Sequence, residues 1–161
     1  MADASDETEA ERLDRNFEDL LQELRVSQNG TQILFAFLLT VPFSNGFTKV
    51  TSFERAVYFA ALLLAGMSAA MLIAPAAMHR ILFRHGRKKQ LVQAATRVTL
   101  GGQMLLILAV AASVFLIGDY LYGVIAGTAV AVAMTAYWST WFLVVPLAIL
   151  RRGQDDPADT S

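Results

Sequence analysis

Residues 56–78 read AVYFAALLLAGMSAAMLIAPAAM, a stretch without Asp, Glu, Lys, Arg or His. A helix rises ~1.5 Å per residue, so such a stretch exceeds the ~30 Å hydrocarbon core of a bilayer. Two further runs, 98–118 and 121–150, match it on the same uncharged criterion apart from Asp119 in the turn between them. A fourth run, 33–43, is too short alone. It reaches spanning length only if 26–32 enters the membrane with it, carrying Ser27, Gln28, Asn29, Thr31 and Gln32. The expected fold class is all-α: a four-transmembrane-helix bundle with an N-terminal amphipathic cytoplasmic helix. The expected organisation is an acidic tail and amphipathic helix over 1–25, a four-span membrane domain over 26–150 and a cytoplasmic tail over 151–161.

Composition agrees with that class. The chain has 161 residues, 55% of them hydrophobic, a mean hydropathy of +0.47 and no cysteine. Disulfides, thiolate metal sites, cysteine nucleophiles and S-acylation are thereby excluded. The first 25 residues hold nine carboxylates and three arginines, unlike the basic start and apolar centre of a signal peptide.

Lys and Arg collect near the cytoplasmic ends of spans. Arg12, Arg15 and Arg25 precede the first span; Arg80, Arg84, Arg87, Lys88, Lys89 and Arg97 lie between the second and third; Arg151 and Arg152 follow the fourth. Only Lys49 and Arg55 lie on the other side, eleven against two. A multi-pass protein of the cell (cytoplasmic) membrane with both termini cytoplasmic is expected.

Thr8 and Glu11 have capping-box spacing, which predicts a helix start near Glu9. Leu13, Phe17, Leu20, Leu21 and Leu24 then form an apolar stripe opposite an acidic face. No Gly or Pro interrupts before Gly30, so this helix is expected to run straight into the first span. Its negative charge disfavours an anionic lipid surface, so the stripe should meet protein: the domain's own cytoplasmic side, a second copy or a partner. Pro42, Ser44, Asn45 and Gly46 open an outer loop, and 118–123 reads as a second, tighter outer turn. The fourth span is then expected mainly over 126–150.

Sliding the chain against itself by 71 residues pairs Gly30 and Gln32 with Gly101 and Gln103, Pro75 with Pro146, and Arg80 with Arg151. Two readings stand: a repeated hairpin with a pseudo-twofold axis along the membrane normal, or chance similarity between apolar helices.

Arg25, Gln28 and Gln32 fall at i, i+3 and i+7, and Thr96, Thr99 and Gln103 repeat the pattern. Polar groups in hydrocarbon face other helices or water. A polar pocket open to the cytoplasm is one reading, with Gln32 and Gln103 in one interior region. Interhelical hydrogen bonding is the other, and the preferred one. Gly123, Gly127 and Ala131 permit close helix approach, and Trp138 and Trp141 are read as packing. Arg84, Arg87, Lys88 and Lys89 could bind an anion or lipid headgroup, or merely mark topology. His79 and His85 lack metal-ligand spacing, so no metal and no cofactor is expected.

The stretch 20–38, LLQELRVSQNGTQILFAFL, resembles the opening signature of a family of small four-span bacterial membrane proteins of unknown function, frequent in actinobacteria. The stretch 74–84, APAAMHRILFR, resembles that family's second motif. The resemblance implies no activity. It implies that Glu23, Arg25, Gln28, Gln32, Pro75, His79 and Arg80 belong to one cytoplasmic-side constellation.

No nucleophile with a base, metal set or convergent carboxylate pair lies within the spans, so no enzyme is expected. The expected function is a membrane interaction or accessory protein. The alternative is a small-solute facilitator or pore, possible as a dimer. Expected partners are bilayer lipid, anionic headgroups, and a membrane-protein partner or a second copy; nucleic acid is not expected.

Overall fold

A computed structural model of the chain describes residues 9–82 and 88–145. Four α-helices follow in order: α1 (Glu9–Thr40), α2 (Ser52–Leu82), α3 (Lys88–Tyr122) and α4 (Val124–Ser139). Among the described residues there is no strand, so the all-α class holds. Three helices contain stretches long and apolar enough to cross a membrane: Ser52–Met78, Val92–Tyr122 and Val124–Phe142. The first helix is not among them, because Gln28, Asn29, Thr31 and Gln32 dilute its inner half.

The chain divides into two compact units, Met1–Leu106 and Ile107–Ser161. In the first unit, α1 runs unbroken from Glu9 through the expected junction with the apolar segment. Among its described side chains the buried ones are Phe17, Leu24, Thr31 and Leu38, one every seven residues. On α2 the buried positions are Tyr58, Ala61, Ala65, Ser68, Leu72 and Pro75, spaced alternately by three and four. A seven-residue repeat with small residues is the seam of closely packed, slightly supercoiled helices. The Phe35 ring packs over Gly66, where an added Cβ would lie 3.2 Å from it. On α3 the seam continues through Ala95, Thr99 and Gly102, with the Leu72 side chain 3.0 Å from where a Gly102 Cβ would be.

The N-terminal apolar stripe of α1 meets its own unit. Phe17 and Ala95 are buried together, with Leu20, Leu21, Met78 and Val92 packed around them. Of the three surfaces open to that stripe in sequence, the chain's own α2 and α3 cover these residues. Glu9, the first described residue, is already helical; Thr8 and the start expected from its spacing to Glu11 lie outside the described residues.

The loop between α1 and α2 is built from two 3₁₀ turns, Val41–Phe43 and Asn45–Lys49. It ends in a reciprocal cap on α2: the Glu54 N–H donates to Thr51 Oγ1 at 3.2 Å, and the Thr51 N–H donates to a Glu54 carboxylate oxygen at 2.6 Å.

In the second unit the expected turn over 118–123 is corrected. Residues 118–122 are helical, and the turn is a single residue, Gly123, at φ 90°. That left-handed φ suits glycine, so one residue reverses the chain and α4 begins at Val124 rather than near 126. Gly118 belongs to the helix because it is a contact point: a Cβ there would lie 2.6 Å from the Gly127 Cα. Gly127 is the buried member of the small-residue stripe. Trp138 stacks on Phe142 with ring centroids 5.8 Å apart, while Trp141 is exposed. Residues Thr140–Val144 form a π-helical turn, closed by the Val145 N–H to the Thr140 carbonyl. In sequence this turn ends two residues before Pro146, which has no N–H to offer the Phe142 carbonyl.

At the 71-residue offset, Leu24, Thr31 and Leu38 correspond to Ala95, Gly102 and Ala109, all buried. Ala61 and Ala65 correspond to Val132 and Ala136, which are exposed. The packing register is shared by the first helices of the two hairpins and not by the second.

Candidate functional site

The polar residues of the first unit fall into a defined arrangement around two prolines. Proline lacks an N–H, so it leaves the carbonyl four residues earlier without its helical donor. In a bilayer such carbonyls need another partner. For Pro42 that carbonyl belongs to Leu38, and it accepts a hydrogen bond from the Tyr58 hydroxyl of α2. Tyr58 is buried, with Phe47 set edge-on against its ring at 5.0 Å. Pro75 interrupts α2 in the same way, freeing the Met71 carbonyl. The Gln28 amide of α1 donates at 2.7 Å to the neighbouring carbonyl of Leu72.

Both bonds join α1 to α2: Tyr58 reaches the carbonyl that Pro42 frees near the α1–α2 loop, and Gln28 reaches the carbonyl next to the one that Pro75 frees, about 15 Å away along α1, ten residues at ~1.5 Å each. A third bond crosses to α3, where the Ser68 hydroxyl donates at 2.7 Å to the Gly102 carbonyl. Most remaining helical hydroxyls fold back on their own helix: Thr31 on Ser27, Thr96 on Val92, Thr128 on Val124, Thr135 on Ala131. Thr99 differs. Its Oγ1 is buried and has no partner among the described residues.

The sequence candidates separate on this frame. Gln28 is half-buried and ties α1 to the Leu72 carbonyl of α2. Gln32 is exposed, so Arg25, Gln28 and Gln32 do not share one interior face. The reason is the seven-residue seam: it turns Thr31 inward, and the next residue is rotated ~100° away. Gln103 is half-buried on α3, so it and Gln32 occupy different environments. Glu23 and Arg25 are exposed on α1.

His79 and Arg80 are helical residues of α2, and their side chains, with their place in the expected constellation, lie outside the described ones. Lys88 and Lys89 open α3; Arg84, His85 and Arg87 lie outside the described residues, so the headgroup reading does too. Among the described residues no group of three His, Asp or Glu could hold a metal ion.

Sequence reasoning does not single out Tyr58, Ser68 or the Thr51–Glu54 cap. The signals are nevertheless present: a proline whose freed carbonyl needs a donor, and Thr-x-x-Glu just before an apolar run.

Chemically, the arrangement fastens helices. Amide and hydroxyl donors meet backbone carbonyls, and no described group pairs a nucleophile with a base. No curated protein and no solved structure matches the chain. A family model matches residues 6–146, a range that includes every described residue, and the chain belongs to that family, DUF6328, a family of unknown function.

Proposed function

We propose that the chain is a non-enzymatic integral protein of the cytoplasmic membrane, with four spans and both termini cytoplasmic, acting as an interaction or accessory protein. The observation that carries this reading is the commitment of interior donors to helix–helix bonds: Gln28 to Leu72, Tyr58 to Leu38, Ser68 to Gly102. The same bonds support the fourth crossing. Gln28, Phe35 and Leu38 meet Leu72, Gly66 and Tyr58 in turn, so α1 accompanies α2 along the span Ser52–Met78. Charge bias, eleven Lys and Arg against two, supports cytoplasmic termini.

The facilitator reading has one observation in its favour. Thr99, with its uncommitted hydroxyl, lies one turn from half-buried Gln103 on α3. Purification in mild detergent, mass spectrometry of co-eluting proteins, and solute flux in reconstituted vesicles distinguish the two. A stable co-eluting membrane protein and vesicles as tight as empty ones are expected. Solute flux from the protein alone, abolished by Gln103→Leu, would replace this reading with the facilitator.

A further inference from the structure

The buried seam of α1 has a counterpart on the opposite side of the helix. Val26, Ile33 and Phe37 are 76%, 61% and 68% exposed, and Asn29, Gly30 and Gln32 are exposed among them. Val26, Asn29, Ile33 and Phe37 are spaced by three, four and four, so they form a second stripe turned away from α2 and α3, with Gln32 on its flank, ~100° from Ile33.

Depth makes this stripe unusual. Gln28 bonds the Leu72 carbonyl, and Leu72 lies six residues inside Met78, where the α2 span ends. At ~1.5 Å per residue, Asn29 is therefore about 9 Å inside that boundary, and Gln32 about one turn deeper. Among the described residues neither carboxamide has a hydrogen-bond partner. A carboxamide facing lipid at that depth is costly, and one facing another helix is an adhesive group. Gly30 lies between them, and nothing comes within 4 Å of where its side chain would be.

We propose that this face of α1 is the contact between two copies of the chain, packed parallel about a twofold axis along the membrane normal. A carboxamide is both donor and acceptor, so it complements itself. A twofold contact sets each residue near its own equivalent, so Asn29 meets Asn29 without a second kind of partner. A single Asn at a seam position also fixes the register of a helix pair. Gly30 lets the two backbones approach, and Val26, Ile33 and Phe37 supply the apolar contact around the amides. Asp19 and Glu23 continue the same face into the cytoplasm, where like charges part the two helices. The contact is thus confined to 26–40. This inference rests on the interaction reading above and adds a second copy of the chain to the membrane-protein partner expected there.

The chain has no cysteine, so single cysteines report cleanly. Ile33→Cys, in bilayers and oxidised, should yield a disulfide-linked dimer. Met67→Cys is the control: it is 56% exposed on α2 and, next to Gly66, close in level to Phe35. It should yield little dimer. Adding Asn29→Leu with Gln32→Leu to Ile33→Cys should weaken the dimer about tenfold, measured as the protein-to-lipid ratio at half dimerisation. Both positions are exposed, so the fold should survive; an unchanged melting curve checks that.

A monomer at every ratio, equal yields from Ile33→Cys and Met67→Cys, or a dimer indifferent to both amides would overturn the proposal. So would a link from Ile33→Cys to a different protein, although the interaction reading would then stand. Solute flux from a dimer linked at Ile33→Cys would do the reverse, removing the interaction reading and keeping the contact.

Discussion

Gly127→Val should unfold the α3–α4 hairpin well below the melting temperature of the parent protein. A Cβ at Gly127 would lie 2.7 Å from both the Phe115 carbonyl oxygen and the Asp119 backbone nitrogen. Those are helix backbone atoms, and they cannot move aside as a side chain would. Relief requires the two helices to separate, which breaks the turn bonds from Gly123 to Asp119 and from Gly127 to Gly123. The cost should reach roughly 3 kcal/mol, the upper end for overpacking. Gly118→Ala probes the same contact from the facing helix and should fall in the same direction. Gly46→Ala is the control, since nothing lies within 4 Å of its Cβ position and the site is exposed. Melting of detergent-solubilised protein, followed by far-UV circular dichroism, reads all three. A Gly127→Val protein melting with the parent would contradict the backbone contact.

The second large effect concerns Tyr58. Tyr58→Phe keeps the ring that packs against Phe47 and removes only the hydroxyl. The Leu38 carbonyl then has neither that donor nor an N–H from Pro42. A buried acceptor left without a partner costs about 1–3 kcal/mol. Pro42→Ala supplies the missing N–H, so Tyr58→Phe should cost clearly less in that background. A double-mutant cycle on thermal or denaturant stability measures the difference. Strictly additive effects would show that the hydroxyl does not replace the helical donor.

The sequence displays the helices more clearly than their rotations. The uncharged runs mark α2, α3 and α4 because hydrocarbon excludes charge over a fixed length. A crossing by α1 is harder to read, since residues 26–32 carry five amides and hydroxyls before the short apolar run. Grouping Arg25, Gln28 and Gln32 by polarity selects the wrong rotation for Gln32. Continuing the apolar stripe from Phe17 and Leu24 by sevens leads to Thr31 and Leu38, the residues that are buried. Polarity alone cannot choose between these, because a threonine hydroxyl can satisfy itself on its own helix, as Thr31 does on Ser27. Gly118 is similar: in sequence it reads as a turn, yet in the fold it is a helical contact point. Of the candidate site, Gln28 was legible as an interior polar residue, while its acceptor on α2 depends on register and was not.

The account turns on α1 crossing the bilayer as a fourth span despite its amides. Ser5→Cys and Lys49→Cys lie on either side of that crossing, and both can be treated with an impermeant thiol reagent in intact cells. Lys49→Cys should react at once, while Ser5→Cys should react only after the cells are opened, as should Lys88→Cys. Labelling of Ser5→Cys from outside, alongside Lys49→Cys, would place both ends of α1 on one side and contradict the fourth span.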